Sequence, residues 1–382
     1  MKKIDVNMLK IITTCSSTKQ LEAIVYVANI NQAIKFFKDK NISIIDVYPF
    51  INALCIKSDT STIYSLSRLD LISYISSHTS VKALVKVSKK VVKLNSRYTG
   101  KGVGIAFIDT GIRPHLDFVF GQNRIIHFED FVQDKKVVYD DNGHGTFISG
   151  VASGSGLSSS GDYSGFAPKS NIISLKALDF NGEAGASKIL QAMQWVYTNH
   201  KQFGIKVVCM SFGSEPLGYN DPIMKGAEML WKAGVVVVAA AGNSGPEYET
   251  IKSPGVSYKI ITVGGLNDNR FDDGTFNENF FEIAKFSSRG PAFKRMKPDL
   301  VAPAIDIVSC KHANGLYTKL SGTSVATPMV AALVALAYEK NKNLKPDQVK
   351  KCLLASCRPV SFNKNLEGYG LVNANKFLSF IP

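Results

Sequence analysis

The chain has 382 residues, of which 45% are hydrophobic and 20% are charged, so it can form a sizeable globular core. Six cysteines in a chain of this length do not indicate a small disulfide scaffold. The 45 lysines and arginines outnumber the 31 aspartates and glutamates but are scattered. These scattered basic residues indicate a solvated basic surface. Nucleic-acid binding is kept as an alternative, although the sequence contains no motif for it.

The cysteines stand mostly in apolar surroundings and form no CxxC pair, which predicts reduced thiols in a reducing compartment. The basic N-terminus reads MKKIDVNMLKIITTCSS, and its apolar stretch is broken by Asp5, Asn7 and Lys10. We therefore expect no signal peptide. No run of about 18 apolar residues occurs, so we expect no membrane span and a cytoplasmic location.

Residues 22–77 alternate short segments of two kinds. Four of them are typical of strands: LEAIVYVA, ISIIDVYP, INALCIKS and LISYIS. Two others, NQAIKFFKDK and STIYSLSRL, are typical of helices. Their order, β-α-β-β-α-β, is the split βαβ pattern of ferredoxin-like folds. We predict a small α+β domain over residues 1–80, with its core at 22–77.

A polar, lysine-rich stretch without strong periodicity follows, and we interpret residues 81–99 as a linker. From residue 100 to 382, β-branched runs such as GVGIAFIDT, IKVVCMSF and GVVVVAAAG alternate with helical segments. Near-continuous apolar strands predict a parallel sheet with helices on both faces, a three-layer α/β domain. Ligands of such domains bind at the carboxyl ends of the strands.

Four polar residues lie at predicted strand ends or helix starts: Asp109 after the first strand, His144 between two glycines, Asn243 after a buried strand, and Ser324 at the start of a long apolar helix. Each has a structural alternative, as a turn residue or a helix N-cap. Pro328 is expected in the first turn of that helix, where a missing N–H costs nothing.

Together these residue types can make a serine hydroxyl attack a carbonyl. Histidine removes the proton, aspartate fixes the tautomer of the histidine and stabilises the imidazolium, and an amide receives the oxyanion. The single DTG triplet, at Asp109, speaks against an aspartic protease, which needs two such aspartates. The combination therefore favours acyl transfer by an activated serine.

The order Asp, His, Ser resembles that of the subtilisin-like serine proteases. IDTGI, DNGHGT and SGTSVATP resemble three signature blocks of that family, and MSFG, AAAGNSGP, FSSRGP and KPDLVAPA resemble further blocks between about residues 100 and 375. TGIRPHLDF, YDDNGHGT and IKSPGVSYKIITVGGL are most similar to the AprX-type intracellular members. The resemblance implies Asp109 as orienting carboxylate, His144 as general base and then acid, and Ser324 as nucleophile.

The resemblance also implies how a polypeptide substrate binds. Asn243 and the backbone N–H of Ser324 would receive the oxyanion. The implied substrate-binding residues are Ser211, Phe212 and Gly213 along the substrate backbone, Gly182, Glu183 and Ala184 on the opposite edge, and Ala240, Ala241 and Gly242 in the pocket for the side chain before the scissile bond. No fixed charge is evident in that pocket, which favours an apolar side chain.

Three features depart from the family pattern. Phe147 stands where a histidine or a small residue is usual, and Val325 where methionine is usual, which affects packing rather than chemistry. The implied chemistry requires no cofactor. Structural calcium stays open, with Asp117 as candidate ligand. Its spacing from Asp109 is one residue short, and GSGLSSSGDYSG does not match the calcium loop of secreted subtilisins.

The N-terminal domain is similar in element order and size to the inhibitory propeptides of subtilases. The resemblance implies that it assists the folding of a slow parallel sheet, inhibits the catalytic domain intramolecularly and is cut between Ser77 and Lys86. We therefore expect a serine endopeptidase made as a self-inhibited, self-processing precursor. The alternatives are a catalytically silent subtilase that binds or signals, and an unrelated N-terminal accessory domain.

Overall fold

This computed structural model describes residues 3, 4, 6–77, 84–271, 273–313 and 316–382. The chain divides into two compact units, Met1–Val81 and Lys82–Pro382. Each unit has its own cluster of buried hydrophobic side chains. Most of the predicted cleavage stretch between Ser77 and Lys86 lies outside the described residues.

The N-terminal unit contains one four-stranded antiparallel sheet. Its elements are α1 (Val6–Thr14), β1 (Gln20–Val27), α2 (Ile30–Asp39), β2 (Ser43–Tyr48), β3 (Ala53–Asp59), α3 (Thr60–Leu66) and β4 (Ile72–Ser77). The strand order β2-β3-β1-β4 is that of the ferredoxin-like pattern. The predicted β-α-β-β-α-β order is present from β1 to β4, whereas α1 was not predicted.

The second unit is built on an eight-stranded sheet. Its elements are α4 (Leu84–Val91), β5 (Gly104–Asp109), α5 (Leu116–Val119), β6 (Ile125–Asp130), α6 (His144–Ser153), β7 (Asn171–Lys176), α7 (Ala186–Asn199), β8 (Ile205–Met210), α8 (Pro222–Lys232), β9 (Val236–Ala240), β10 (Ile261–Asn267), β11 (Glu282–Ile283), β12 (Leu300–Pro303), β13 (Ile307–Cys310), β14 (Tyr317–Leu320), α9 (Thr323–Lys340), α10 (Pro346–Ser356), α11 (Lys364–Glu367) and α12 (Ala374–Phe380). The main path is β11-β10-β9-β8-β5-β7-β6, and β12 pairs with β10. β13 and β14 form a separate antiparallel pair.

Two groups of helices cover this sheet. α6 and α9 pack on each other and on the strands, whereas α7 and α8 pack on each other and on β5 and β9. Every residue from 325 to 338 in α9 is buried, because small and apolar side chains surround the whole helix. All strand pairs along the main path are parallel except β10 with β11. The prediction of a three-layer, mainly parallel α/β domain is confirmed.

The linker prediction for residues 81–99 is wrong in the part that the structure describes. α4 occupies this stretch, and Val87, Val91 and Val92 are buried in the core of the second unit. The backbone N–H groups of Thr99 and Gly100 both donate to the carboxylate of Glu339, at 2.6 Å. The spacing of Val87 and Val91 marks one helical face, which the surrounding lysines hid in the sequence.

β5 is the point at which the sheet changes its direction of growth. β7 and β6 lie on one side of β5, and β8, β9 and β10 on the other. A crevice forms outside the carboxyl ends of the strands at such a point. β5 ends at Asp109, β8 ends one residue before Ser211, and β9 ends at Ala240. In the described part of the chain, no helix has both the length and the hydrophobicity needed to span a bilayer.

Candidate active site

His144 and Asp109 form a hydrogen-bonded pair at the carboxyl edge of the sheet. His144 Nδ1 lies 2.8 Å from Asp109 Oδ1, and Asp109 is buried at the end of β5. The same oxygen accepts the backbone N–H of Thr110 at 2.8 Å. Because the carboxylate only accepts, Nδ1 carries the proton, and the lone pair of the neutral ring is on Nε2. Among the described residues, nothing forms a hydrogen bond with this Nε2.

The electrostatic surroundings favour a positive charge on this ring. Burial lowers the pKa of His144, but the charge of Asp109, the hydrogen bond to it and the charge of Asp140 outweigh burial and raise the pKa above its usual value. The side chain of His144 is still 26% exposed. The ring can therefore accept a proton from the accessible side and hold it as a stabilised cation.

Asp140 organises the glycine-rich loop that precedes α6. Its Oδ1 accepts from Gly143 N–H at 2.7 Å and from the Thr110 hydroxyl at 2.9 Å. Its Oδ2 accepts from the N–H and hydroxyl of Thr146, at 2.9 and 2.6 Å. Burial raises the pKa of Asp140, but these hydrogen bonds outweigh burial and lower it. Asp140 was not among the site residues predicted from the sequence, although a carboxylate shortly before a glycine turn was a signal for it.

Ser324 is the second residue of α9 and lies beside the carboxamide of Asn243. It is partly exposed, whereas the residues that follow it are buried. Gly322, which precedes the helix, has a φ of 154°. A Cβ at Gly322 would lie 3.2 Å from both Asn243 Nδ2 and Ser324 Oγ. The glycine therefore leaves open the space between the amide and the hydroxyl.

Thr323 holds the Asn243 carboxamide in one orientation. The N–H and hydroxyl of Thr323 donate to Asn243 Oδ1 at 2.9 and 3.0 Å. The same hydroxyl accepts the N–H of Gly242 at 3.2 Å. Since Oδ1 is the acceptor, Nδ2 is the atom directed toward Ser324, and it has no hydrogen-bond partner among the described residues. A free amide donor beside a serine hydroxyl is suited to stabilising an oxyanion.

Pro328 connects the turn at Ser324 to the segment after β8. It lies inside α9, beyond its first turn, so the prediction that it stands in the first turn is wrong. Proline has no N–H, which leaves the carbonyl of Ser324 without its helical partner. The hydroxyl of Ser211 donates to that carbonyl at 2.9 Å. The predicted substrate strand is thereby tied to the backbone of the predicted nucleophile.

The predicted substrate-binding residues lie in three segments that follow β7, β8 and β9. Gly182, Glu183 and Ala184 belong to a turn after β7, and Asn142 Nδ2 donates to the carbonyl of Phe180 in that turn at 3.0 Å. Residues 211–213 follow β8, and residues 240–242 comprise the last residue of β9 and the two after it. All three segments lie at the carboxyl edge of the parallel strands, but contact with a substrate stays a prediction.

A lysine lies against residues 240–242, where the sequence showed no evident fixed charge, and the predicted apolar preference of this pocket stays a prediction. Lys252 donates its N–H to the carbonyl of Ala241 at 2.9 Å, and its ammonium group pairs with Glu215. A Cβ at Gly242 would lie 2.5 Å from Lys252 Cγ, so the lysine stem lies against this wall. Lys252 is the second residue of the IKSPGVSYKIITVGGL segment, but nothing in that segment showed that the lysine would contact Gly213 and Gly242.

Asp117, the candidate calcium ligand, is buried and already hydrogen-bonded at both oxygens. Oδ2 accepts the N–H of Gly156 at 3.0 Å and the hydroxyl of Tyr317 at 2.9 Å, and Oδ1 accepts the N–H of Ser158 at 3.0 Å. Hydrogen-bond donors occupy the positions where a cation would have to bind.

The other side chains around Asp117 do not suit calcium either. His115 and Cys310 each present one further ligand atom, and the ligand atoms of this trio lie within 4.8 Å of one another. Calcium prefers six to eight oxygen ligands, not nitrogen and sulfur. Burial and the charge of Asp117 raise the pKa of Cys310, which keeps its thiol protonated. The described residues at Asp117 therefore do not fit calcium.

The chain is similar to known proteins both in sequence and in structure. The model of the subtilase family matches residues 100–371. The serine protease AprX of Bacillus subtilis (strain 168) is 38% identical over 366 residues, which cover 88% of this chain and 81% of that protein. Subtilisin BL of Lederbergia lenta is 32% identical over 280 residues, which cover 73% of this chain and 92% of that protein.

Solved structures give the same relationship. A cold-adapted subtilisin-like serine proteinase is 30% identical, with a TM-score of 0.58. The match covers 73% of this chain and 89% of the chain of that proteinase. Sphericase is 26% identical, with a TM-score of 0.65, and the match covers 77% of this chain and 99% of the sphericase chain.

Proposed function

This chain belongs to the subtilase family of serine endopeptidases, and we propose that Asp109, His144 and Ser324 form its catalytic triad. The hydrogen bond between Asp109 and His144, which leaves Nε2 free, carries the proposal. The position of Ser324 beside the free amide of Asn243 supports it. In structures without substrate the hydrogen bond between base and nucleophile is often long, and it tightens in the complex.

Acylation follows from these positions. His144 Nε2 takes the proton of Ser324 Oγ while Oγ attacks the carbonyl carbon of the scissile bond. Asp109 keeps the proton on Nδ1 and stabilises the imidazolium. Asn243 Nδ2 and the backbone N–H of Ser324 donate to the oxyanion. The imidazolium then gives its proton to the leaving amine, the C–N bond breaks, and the acyl group remains on Ser324.

Deacylation repeats the same steps with water. His144 takes a proton from the water, the resulting hydroxide attacks the ester carbonyl, and the second oxyanion uses the same donors. The imidazolium returns its proton to Ser324 Oγ as the C–O bond breaks. Throughout the cycle the raised pKa of His144 favours the transient cation.

The substrate is a polypeptide in extended conformation. Residues 211–213 would form main-chain hydrogen bonds with it, and residues 182–184 would form the opposite edge of the cleft. The hydrogen bond from Ser211 to the carbonyl of Ser324 supports this arrangement, because it fixes the distance between substrate strand and nucleophile.

We further propose that the N-terminal unit is an intramolecular inhibitor that the catalytic unit removes by self-cleavage. Its separate core and its ferredoxin-like strand order support an independent domain. The chemistry itself uses side chains and backbone alone. The cytoplasmic location is likewise a proposal from the sequence.

Mass spectrometry and peptide hydrolysis of the wild type beside Ser324→Ala test both proposals. We expect the wild type to hydrolyse peptides and to lose its N-terminal unit, and Ser324→Ala to do neither. Ser321→Ala is a matched control, because Ser321 is an exposed serine three residues away whose hydroxyl bonds, within the described part of the chain, only to Asp306: it accepts the backbone N–H at 2.9 Å and donates to Oδ1 at 3.4 Å. Hydrolysis by Ser324→Ala at the wild-type rate would contradict the triad.

The two proposals fail separately. A wild type that hydrolyses peptides while its mass stays that of the whole chain contradicts self-processing and leaves the triad intact. A folded wild type without hydrolysis, processed or not, favours the catalytically silent alternative.

A further inference from the structure

Lys252 connects two segments of the proposed substrate cleft, one of which is the predicted pocket for the side chain before the scissile bond. Residues 240–242 are the predicted wall of this pocket, and we infer that residues 211–213, the predicted substrate strand, form the wall that faces them. The N–H of Lys252 donates to the carbonyl of Ala241 in one wall at 2.9 Å. The next residue, Ser253, exchanges two backbone hydrogen bonds with Ser214, directly after the other wall, at 2.9 and 3.0 Å. Lys252 therefore lies between the walls.

The stem of Lys252 lies against a glycine in each wall. A Cβ at Gly213 would lie 2.5 Å from Lys252 Cβ, and a Cβ at Gly242 would lie 2.5 Å from Lys252 Cγ. No side chain fits at either glycine while the lysine keeps its position. Gly242 also has a φ of 107°, which other residues rarely adopt. The two glycines and the lysine thus form one packed unit.

The position of the Lys252 ammonium group is determined mainly by the packing of the lysine stem. Its side chain is 17% exposed, whereas that of its partner Glu215 is 80% exposed. An exposed carboxylate can turn into solvent at little cost, because surface ion pairs contribute little. The lysine has no such freedom, since its stem is confined between the glycines.

We propose that Lys252 is the floor of this pocket and that its ammonium group selects an acidic side chain before the scissile bond and disfavours a basic one. The inference rests on the proposed function, because it assigns the pocket of that same site. An incoming carboxylate replaces Glu215 as partner of Lys252 in a charge-assisted hydrogen bond. An incoming cation meets a like charge that is confined, and a neutral side chain leaves the Lys252–Glu215 pair in place.

Four peptides that differ only at the residue before the scissile bond test the proposal. Glu and Gln form one matched pair of similar shape, and Lys and Met form the other. For the wild type we expect kcat/KM to be about five- to tenfold higher for Glu than for Gln, and lower for Lys than for Met by a similar factor. Both ratios should shrink toward one as salt is added.

Two variants separate the contributions of the charges. Lys252→Met keeps a long apolar stem against the glycines and removes the charge, so both ratios should fall to about one. Glu215→Gln removes the competitor, so the Glu/Gln ratio should rise. Lys225→Met is the control, because Lys225 is an exposed lysine on α8 that bonds to Asn220 at 2.7 Å, and it should leave both ratios as in the wild type. Ratios within one variant cancel any loss common to all peptides.

The outcomes keep the two proposals apart. Hydrolysis of none of the four peptides contradicts the proposed function. Hydrolysis with both wild-type ratios near one, or with ratios that persist in Lys252→Met, contradicts the role of Lys252 and leaves the triad standing. A preference for Lys that disappears in Glu215→Gln would make Glu215 the selecting charge and overturn the proposal.

Discussion

Two histidine–aspartate pairs in the second unit differ in ways that show what makes such a pair chemically useful. His144 Nδ1 lies 2.8 Å from a carboxylate oxygen of Asp109. His115 Nδ1 is 4.0 Å from the nearest carboxylate oxygen of Asp117 and accepts the backbone N–H of that residue instead, at 3.1 Å. The side chain of His144 is 26% exposed and that of His115 only 5%.

The two rings therefore carry their protons on opposite nitrogens. His115 Nε2 lies 2.7 Å from the carbonyl of Leu316, so Nε2 is the donor and both nitrogens are occupied. In His144 the donor is Nδ1, and Nε2 keeps a free lone pair. The same two residue types thus give a structural contact in one place and a general base in the other. The backbone and carboxylate partners, rather than the residue types, determine the difference.

The largest effect should distinguish the two histidines. His144→Ala should lower kcat by about 10⁴-fold or more, because it removes the base that takes the proton of Ser324. His115→Ala should leave kcat per folded molecule unchanged and lower the free energy of unfolding by about 1–3 kcal/mol, since it leaves buried partners unpaired. Kinetics and denaturant unfolding of both variants measure this. Loss of activity in a fully folded His115→Ala would remove the distinction.

The two aspartates should differ in the same sense. Asp109→Asn should reduce kcat by about 10⁴-fold, because an amide stabilises the wrong tautomer and no imidazolium. Asp117→Asn should reduce stability instead, because one amide nitrogen then faces N–H or O–H donors. Comparison of kcat with the urea midpoint for each variant decides between these roles. Equal kinetic losses in both variants would contradict them.

Substitution of Asn243 should have the next largest effect. This residue belongs to the proposed active site, and the His115–Asp117 pair has no counterpart of it. Asn243→Ala removes one oxyanion donor and should lower kcat by about 10²–10³-fold while KM changes little. Steady-state kinetics on one peptide measures both constants. A change confined to KM would mean that the amide binds the substrate and not the transition state.

The acid limb of the activity's pH profile should depend on the His144–Asp109 pair and not on the His115–Asp117 pair. The ring acts as a base only when neutral, and its pKa is raised, so activity should fall as pH drops through a value above the ordinary histidine pKa of about 6.5. The acid limb of kcat/KM measures this, and His115→Ala should leave the limb in place. A limb at or below the ordinary value would contradict the influence of Asp109 and Asp140.

Chelation should have the smallest effect. Since hydrogen-bond donors already surround the carboxylate of Asp117, Tm should be the same in excess calcium and in excess chelator. Thermal unfolding of the wild type under both conditions tests this. A rise of Tm with calcium concentration that Asp117→Asn abolishes would show that Asp117 binds the ion after all.

The sequence predicted the parts of the molecule that have local signals. Apolar strand runs predicted the parallel sheet, and the glycines around His144 and Ser324 marked the turns at its carboxyl edge. The parallel sheet explains why Asp109, residues 211–213 and residues 240–242 lie along one edge although they are far apart in sequence, since the carboxyl ends of parallel strands share that edge.

Features that depend on non-local packing were missed. The position of the Lys252 side chain depends on two glycines in other segments. Nothing in the sequence around Lys252 predicted that its stem would be confined between them. In α4 the surrounding lysines concealed two valines, Val87 and Val91, that are buried in the core of the second unit. Pro328 was misplaced for a simpler reason: it is the sixth residue of α9, so it lies past the first turn although the start of the helix was predicted to within one residue.

The reaction of a fluorophosphonate with the protein, after incubation that allows self-processing, measures activation of the nucleophile most directly. We expect rapid modification of Ser324, located by mass spectrometry, at a rate that collapses in His144→Ala and is retained in folded His115→Ala. No modification of Ser324 in the folded wild type, or an equal rate in His144→Ala, would show that Asp109, His144 and Ser324 do not act together.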